Sequence, residues 1–487
     1  MKTIITLFSF LFILTISSQN NDITSKLYET YDTYKELSLD NRREKHSDIQ
    51  PLITVLKTNA NYTVKKVGTS IEGRDLTLIS IGKGKTNVFL WSQMHGDEPT
   101  ATHAIFDIIN FLNSPDFTSE KKEILDNCTL HFLPMVNPDG AQKYKRRNAL
   151  GIDINRDAVR LQSPEGQTLK KVRDSLQADF GFNLHDQSTY YNAERTNKPA
   201  TISYLAPAYN YEKDINEVRG NAMKVIVFMN NIIQKYAPGQ VGKYNDDFEP
   251  RAFGDNIQKW GTSTILIESG GFKNDTEKQE IRKLNYVSIL SAIYTIAKEN
   301  YKDISIKEYN KIPENDRKLF DLKLEQVTYN LLGKDYILDI GINHYEVDDE
   351  THSSFYNIGR IKDQGDLSTF YGYQTFNAKG YKIVAGKIYP KTLKSIDKLS
   401  KTKACELLKD GYTYVKMEKL PKTNNELKLP VNLIHKNYKM PELEIFVGRK
   451  ATFLLEKNGK IKYAVINGFL INLDKKETNF KNGLIYR

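Results

Sequence analysis

Residues 88–113 read VFLWSQMHGDEPTATHAIFDIINFLN and join a strand pattern, a polar turn and a helix pattern. The apolar run Val88–Trp91 is typical of a buried strand, and apolar residues after Thr102 recur at helical intervals. His95 and Glu98 stand between them, in a chain that has only eight histidines. A polar surface turn would explain this pair, and so would half of a metal site, because zinc takes His and carboxylate ligands.

The length of 487 residues exceeds one typical domain of about 100–200 residues, so we expect two folded units. Hydrophobic residues make up 39% of the chain, which is ordinary for a soluble globular protein and sufficient for a sizeable core. Cys128 and Cys405 are its two cysteines, which excludes a disulfide scaffold. We expect two separate buried thiols.

Residues 1–19 contain Lys2, the apolar run Ile4–Ile16 and then small and polar residues. This is the layout of a secretory signal peptide. The run is too short for a transmembrane helix, which needs about 20 apolar residues. We therefore expect an exported protein, secreted or periplasmic.

The net charge of +10 is concentrated in residues 301–487, which hold 33 Lys and Arg against 24 Asp and Glu. Such an excess suits contact with a cell-wall polymer or another anionic surface. The lysines are scattered, which favours an ordinary solvated surface. We expect no nucleic-acid partner, because an exported protein rarely meets nucleic acid.

Short β-branched runs alternate with helix patterns as far as residue 300. This alternation predicts an α/β fold for residues 22–300, with a mixed, largely parallel sheet sandwiched by helices. Residues 301–487 instead contain short Tyr-rich and β-branched runs separated by Gly or Asn, which predicts a smaller, mostly-β accessory domain of unknown role. One helix is expected there, within residues 391–411.

Two further polar residues end apolar strands. His185 closes the run FNLH, and Glu268 closes ILIE before Ser-Gly-Gly. An open α/β sheet binds ligands at the carboxyl ends of its strands. His185 is either a satisfied core histidine or a third metal ligand. Glu268 either has a structural partner or faces a metal-bound water, since an unpaired buried carboxylate is costly.

Between these strands lie the turn NPDG, residues 137–140, and the segment KRRNALGIDINRD, residues 145–157. The second segment brings Arg146, Arg147 and Arg156 into one stretch of chain. Arginines at such a position offer planar donors for a carboxylate or an oxyanion.

The order of these motifs resembles that of the zinc carboxypeptidase family, the carboxypeptidase A, B and D type, over about residues 60–300. The motifs are H-x-x-E, N-P-D-G, R-x-N-x-x-G-x-D-x-N-R, a His ending a strand, and a Glu ending the last strand before a helix. The resemblance implies one Zn2+ per chain, with His95, Glu98 and His185 as its ligands. It identifies residues 22–300 as the zinc carboxypeptidase domain.

The resemblance also implies the remaining roles by position. Glu268 matches the general base, and Arg146 matches the arginine that polarises the scissile carbonyl. Asn155 and Arg156 match the pair that grips the terminal carboxylate of a peptide substrate. The chain is therefore expected to be an exported metallocarboxypeptidase that hydrolyses the C-terminal bond of peptides with a free C-terminal carboxylate.

Some positions depart from the family pattern. Asp97 stands where the family often has Arg or Asn, and His185 is followed by Asp-Gln rather than by a small residue and an aromatic. The mobile tyrosine expected ahead of the base is missing from its place. Tyr244 comes slightly too early, and Asp246 and Asp247 stand nearer.

These departures leave the substrate open, because the acidic residues, with Asp255 among them, could favour basic side chains or the free amine of a diaminopimelate-type residue. A related zinc amidohydrolase, acting on murein stem peptides or small acylated amino acids, would not need Asn155 and Arg156. An inactive peptidase-like binding module would have lost a ligand or the base, and all are present. His103 is the nearest rival ligand, but it falls inside a predicted helix.

Overall fold

The computed structural model describes residues 23–422, 426–439, 442–475, 480 and 482–487. The predicted signal peptide, residues 1–19, lies outside the described residues. The chain forms two compact units, Met1–Arg317 and Lys318–Arg487. The division therefore comes later than the residue 300 suggested by the sequence, because Tyr301 and Tyr309 bury their rings in the core of the first unit.

The first unit contains helices and strands in alternation. Its helices are α1 (23–34), α2 (His46–Lys57), α3 (Thr100–Asn113), α4 (Thr118–Asn127), α5 (Pro138–Gln142), α6 (Pro164–Leu176), α7 (Glu217–Tyr236), α8 (Phe253–Lys259) and α9 (Gln279–Ala297). Its strands are β1 (Tyr62–Thr69), β2 (Asp75–Gly82), β3 (Thr86–Ser92), β4 (Cys128–Leu133), β5 (Phe180–Asp186), β6 (Asn192–Ala193), β7 (Ile202–Leu205), β8 (Val241–Lys243), β9 (Ser263–Ser269) and β10 (Asn315–Asp316).

The main sheet of this unit has the strand order β1-β2-β4-β3-β5-β9-β7-β8. Its centre, β4-β3-β5-β9, is parallel, whereas β1, β2 and β7 enter through antiparallel pairs. Alternate residues of β3 enter separate apolar clusters: Val88 and Leu90 pack with α3, α7 and α9, and Phe89 and Trp91 pack with α6 and α8. Helices thus cover both faces, and the predicted α/β fold is confirmed.

A second, two-stranded sheet joins the end of the unit to its middle. β10 pairs with β6 in antiparallel fashion, with Asn315 opposite Ala193. The Asn315 side chain donates to Gln187 Oε1 at 2.8 Å and accepts from Ser203 Oγ at 2.7 Å. The last residues before Arg317 are therefore part of the α/β structure.

The second unit is mostly β, as predicted. Its strands are β11 (Leu319–Leu331), β12 (Lys334–Asp348), β13 (Phe355–Gly365), β14 (Tyr371–Asn377), β15 (Lys382–Val384), β16 (Lys387–Leu393), β17 (Tyr412–Met417), β18 (Glu426–Leu427), β19 (Asn432–His435), β20 (Phe453–Lys457), β21 (Lys460–Ile466), β22 (Phe469–Asn472) and β23 (Gly483–Tyr486). One sheet has the order β13-β12-β11-β15-β20-β21-β22, with β14 also pairing with β11, and the other has the order β16-β17-β19-β23-β18. The expected helix is α10 (Lys401–Lys409).

Both cysteines are free thiols. Cys128 is buried, and Cys405 is half-buried rather than buried as expected. Within the described part of the chain, the helices are all too short or too polar to cross a membrane.

Candidate active site

The carboxyl ends of three neighbouring parallel strands form the floor of the site. On β5 and β9, His185 lies directly opposite Glu268. On the other side of β5, Ser92 at the end of β3 lies opposite Leu184, and the chain reaches His95 three residues later. The parallel sheet therefore brings together side chains that are far apart in sequence.

The turn after β3 holds its shape through contact with the NPDG turn. A side chain at Gly96 would place its Cβ 2.0 Å from the carbonyl carbon of Gly140, so only glycine fits between His95 and Asp97. The Asn137 side chain accepts from Gly140 N at 2.9 Å and donates to the carbonyl of Arg146 at 3.1 Å. The NPDG turn thus positions two parts of the site.

His95, Glu98 and His185 converge and are all buried. His95 Nδ1 lies 2.8 Å from Glu98 Oε1, and His185 Nδ1 lies 2.7 Å from Glu98 Oε2. The two Nδ1 atoms are 3.2 Å apart. One ligand atom from each residue falls within 4.8 Å of the other two, which is close enough for a single metal ion.

The chemistry of this donor set fits zinc. Two imidazole nitrogens and one carboxylate are the protein ligands of many catalytic zinc sites, which keep a further position for water or substrate. The other ring nitrogen of His95, Nε2, lies 3.2 Å from Asp153 Oδ1. A carboxylate on the far nitrogen is the usual partner of a metal-bound histidine and fixes the orientation of its ring.

Asp153 also holds Arg146. Arg146 Nε donates to Asp153 Oδ2 at 3.0 Å, and the backbone N of Asn155 donates to Asp153 Oδ1 at 3.0 Å. Arg146 Nη1 reaches to 3.4 Å from Glu98 Oε1 and 3.1 Å from His95 Nδ1. One carboxylate therefore organises the loop of His95, the arginine and the following segment.

Close packing of these charges shifts their pKa values. Burial opposes the charge on Glu98, but the two imidazoles outweigh it and hold the pKa of Glu98 well below its ordinary value. Burial also opposes protonation of His95, yet Glu98 and Asp153 raise the pKa of His95 to about 9. For His185, burial prevails over Glu98 and lowers the pKa.

Glu268 faces the same cavity from the end of β9 and is 8% exposed. Burial and then the nearby Glu98 carboxylate raise the pKa of Glu268 well above that of an ordinary glutamate. Asp97, on the other side of the turn, is largely withdrawn from solvent. Burial and Glu98 raise the pKa of Asp97 to about 6.

Asn155 and Arg156 line the cavity beyond Arg146. Asn155 Oδ1 accepts from the backbone N of Phe253 at 2.9 Å, and this bond fixes the amide at the start of α8. Arg156 Nη1 donates to the carbonyl of Asn155 at 2.7 Å, and its Nε lies 3.4 Å from Glu249 Oε2. The guanidinium is thus braced at the edge of the cavity.

The cavity has a volume of about 800 Å³, and polar residues predominate among those that line it. Tyr244 and Tyr191 are part of its wall, and their rings meet edge to face at 6.3 Å. Burial and the Glu268 carboxylate raise the pKa of Tyr244. Asp247 also lines the cavity and pairs with Lys213 at 2.8 Å, whereas Asp246 pairs with Arg219 at 2.5 Å.

His103, the rival metal ligand, lies outside the site, and so does Arg147, the neighbour of Arg146 in the sequence. His103 lies on α3, where its Nε2 is 2.6 Å from Glu44 Oε2. Arg147 turns away and donates to the carbonyl of Gly151 at 2.9 Å.

Sequence reasoning gave no role to Asp153, although it stands inside the quoted R-x-N motif. It also gave none to Asp186, the residue after His185. Asp186 Oδ2 accepts from Thr100 Oγ1 at 2.6 Å and pairs with Lys278 at 3.0 Å, and its carboxylate also lines the cavity. The sequence did contain a signal for Asp186, because this charged residue directly follows the histidine that ends the apolar strand.

Comparison with known proteins agrees with this geometry. The model of the family described as "Zinc carboxypeptidase" matches residues 54–200. Over these residues the first unit is similar to the zinc carboxypeptidase family. The unit is 30% identical over 122 residues to carboxypeptidase E of Caenorhabditis elegans, covering 21% of this chain and 26% of that protein.

The first unit is also 35% identical over 81 residues to carboxypeptidase B of Astacus astacus, covering 16% of this chain and 26% of that protein. The chain spans only about a quarter of the length of these two curated relatives. Among solved structures, it is similar to a metallo-carboxypeptidase from Burkholderia cenocepacia, with a TM-score of 0.43, 17% identity, and coverage of 52% of this chain and 69% of that one.

Proposed function

We propose that the protein is a zinc-dependent metallocarboxypeptidase. The observation that carries the proposal is the convergence of His95, Glu98 and His185 within 4.8 Å, with Glu268 directly across from His185 on the next strand. The match of residues 54–200 to the model of the zinc carboxypeptidase family supports the same activity.

His95, Glu98 and His185 would hold the zinc ion, which supplies Lewis acidity that favours attack by water near neutral pH. Glu268 takes a proton from the attacking water and then delivers it to the leaving amine. Its burial near Glu98 makes its carboxylate more basic than an exposed one, which suits a proton acceptor. Arg146, braced by Asp153, donates to the oxyanion that develops on the scissile carbonyl.

The substrate is a peptide with a free C-terminal carboxylate. Arg156 offers a planar pair of donors for that carboxylate. Asn155 contributes its amide NH2, because its Oδ1 is engaged by the backbone of Phe253. Fixing the chain end in this way restricts cleavage to the last peptide bond.

Hydrolysis of blocked dipeptides and of a murein stem peptide tests the proposal. Wild-type protein, with and without a zinc chelator, is compared with Glu268→Gln and with a control, Glu123→Gln on α4. We expect chelator-sensitive release of a C-terminal residue that the control keeps and Glu268→Gln loses, while zinc content is equal in all three proteins. Zinc binding without release from any peptide would contradict the proposal. Cleavage of the stem peptide at an internal amide would instead indicate an amidohydrolase.

We further propose that the chain is exported. Support comes from the n-region, apolar run and small polar residues of the first 19 positions. Mass spectrometry of protein expressed with its natural N-terminus should find that segment removed and the product outside the cytoplasm. Retention of Met1 in cytoplasmic protein would contradict export.

A further inference from the structure

The hairpin between β11 and β12 ends in a turn whose sequence does not suit its shape. Leu331 pairs with Lys334, so the turn has two central residues, Leu332 and Gly333. Both have positive φ, 52° and 79°, as a type I′ turn requires. Asparagine or glycine is preferred at the first of these positions, and leucine is disfavoured there by its side chain.

Two other hairpins of the same unit have Asn-Gly, the preferred pair of residues, at the centre of their turns. The β20–β21 turn has Asn458 and Gly459 at its centre, with φ of 53° and 71°. The β21–β22 turn has Asn467 and Gly468, with φ of 51° and 83°. The unit therefore uses Asn-Gly in two turns of this kind and Leu-Gly in the third. A residue that breaks a local rule without a packing gain is expected at a functional position.

Leucine gains nothing from packing at this turn. Leu332 is 95% exposed, and every residue from 330 to 337 is exposed. The next residues toward the body, Tyr329 and Leu338, are partly buried, and Val327 and Ile340 beyond them are fully buried. The hairpin thus projects as an arm, residues 330–337, from the packed part of its sheet.

The arm carries apolar side chains on both faces. By strand alternation, Leu331 and Tyr336 share one face, Ile337 lies on the other, and Leu332 occupies the tip. Leu331 and Tyr336 are each 48% exposed, and Ile337 is 72% exposed. Together the four side chains expose on the order of 500 Å², which is as large as the largest apolar patch on a typical monomer.

We propose that this arm inserts into an anionic lipid surface. A flat protein partner could cover only one face of the arm, whereas a lipid layer surrounds both. The exposed apolar area also falls short of the roughly 800 Å² per partner that a stable protein interface needs. Aliphatic side chains at the tip enter the acyl region, while Tyr336 and Lys334 suit the headgroup level.

The charge of the second unit complements an anionic surface. Residues 318–487 hold 29 Lys and Arg against 20 Asp and Glu. Scattered lysines near an anionic lipid layer each add to the attraction, which salt weakens. We therefore expect binding that needs both the apolar tip and anionic lipid.

Vesicle co-sedimentation tests the proposal on exported protein, after mass spectrometry has verified that the apolar N-terminal segment is absent. The vesicles contain either phosphatidylcholine alone or equal amounts of phosphatidylcholine and phosphatidylglycerol. The decisive variant is Leu332→Asn, which restores the preferred Asn-Gly turn. The matched control is Asn458→Ala in the β20–β21 turn.

We expect wild-type protein and Asn458→Ala to bind the anionic vesicles. Leu332→Asn should bind at least about tenfold more weakly, because it removes one leucine from the lipid. Its thermal midpoint should equal or exceed that of wild type, so the loss cannot come from misfolding. In a separate variant, Leu332→Trp, the emission should shift to the blue on addition of anionic vesicles, relative to the background from the chain's two natural tryptophans.

Three outcomes would overturn the proposal. The first is no binding of wild type to either vesicle, and the second is undiminished binding of Leu332→Asn. The third is concentration-dependent self-association of wild type that Leu332→Asn abolishes without any vesicle binding, which would assign the arm to a second copy of the chain.

Discussion

Asp153→Asn should weaken zinc binding although Asp153 is not a candidate ligand. Asp153 is buried, and its two oxygens serve His95 Nε2 at 3.2 Å, Asn155 N at 3.0 Å and Arg146 Nε at 3.0 Å. Asparagine keeps one acceptor oxygen and turns the other into a donor. Either His95 Nε2 or Arg146 Nε then faces the N–H group of the amide instead of an acceptor oxygen.

The size of the effect follows from the lost bond. A hydrogen bond to a charged group contributes about 1.5–3 kcal/mol, and tenfold in affinity corresponds to about 1.4 kcal/mol. The apparent dissociation constant for zinc should therefore rise by about 10- to 100-fold, the range found for such outer partners of metal-bound histidine. At saturating zinc, kcat/KM should fall by a further tenfold or so, because Arg146 loses the carboxylate that holds it.

Competition with a chromophoric chelator measures the zinc affinity. The matched control is Asp157→Asn, in the same segment and equally buried, whose carboxylate accepts from Ser163 and Gln162 rather than from the site. The control should lower stability and leave zinc affinity unchanged. Unchanged affinity in Asp153→Asn, or an equal loss in both variants, would refute the reasoning.

Three further predictions concern stability and the shape of the site. Arg282 and Asp107 form a fully buried ion pair, so Arg282→Met should lower the free energy of unfolding by about 3–5 kcal/mol in denaturant titrations, because it leaves the carboxylate unpaired. Burial lowers the pKa of His131 to about 4, so the unfolded chain takes up a proton at higher pH than the folded one, and stability falls as pH drops from about 6.5 toward 4. His131→Gln should remove up to about 3 kcal/mol of that pH dependence, and an unchanged slope would contradict the assignment. Gly96→Ala should abolish zinc binding by calorimetry while the far-ultraviolet circular dichroism is kept, because its Cβ would overlap the backbone of Gly140.

The strand-end positions of His185 and Glu268 could be predicted from the sequence because the parallel sheet fixes them. An apolar run that stops at His185 or Glu268 must deliver that residue to the sheet edge, whatever lies between the strands. The helix predicted within residues 216–236 and the strand predicted at 263–271 were equally clear, because the helix has an unbroken helical period and the strand is a continuous buried run.

Side-chain pairing was harder to predict, since it depends on loops that run between elements. Tyr244 seemed misplaced by its distance from the base along the chain, yet the structure puts its ring in the cavity wall. The role of Asp153 depends on partners from two different loops, and nothing in its spacing identifies them. The later division between the units has the same origin, because the burial of Tyr309 is a tertiary contact without a local pattern.

The pairing of β10 with β6 decides where the first unit of this protein can be separated from the rest. A shortened version that ended near residue 300 would omit Asn315, which lines the cavity, and would withdraw one partner from Ser203 and one from Gln187, which also lines the cavity. Gln187 stands two residues after His185, so the damage would reach the strand that carries a candidate zinc ligand. Anyone who wishes to study the first unit alone should therefore keep every residue through Arg317.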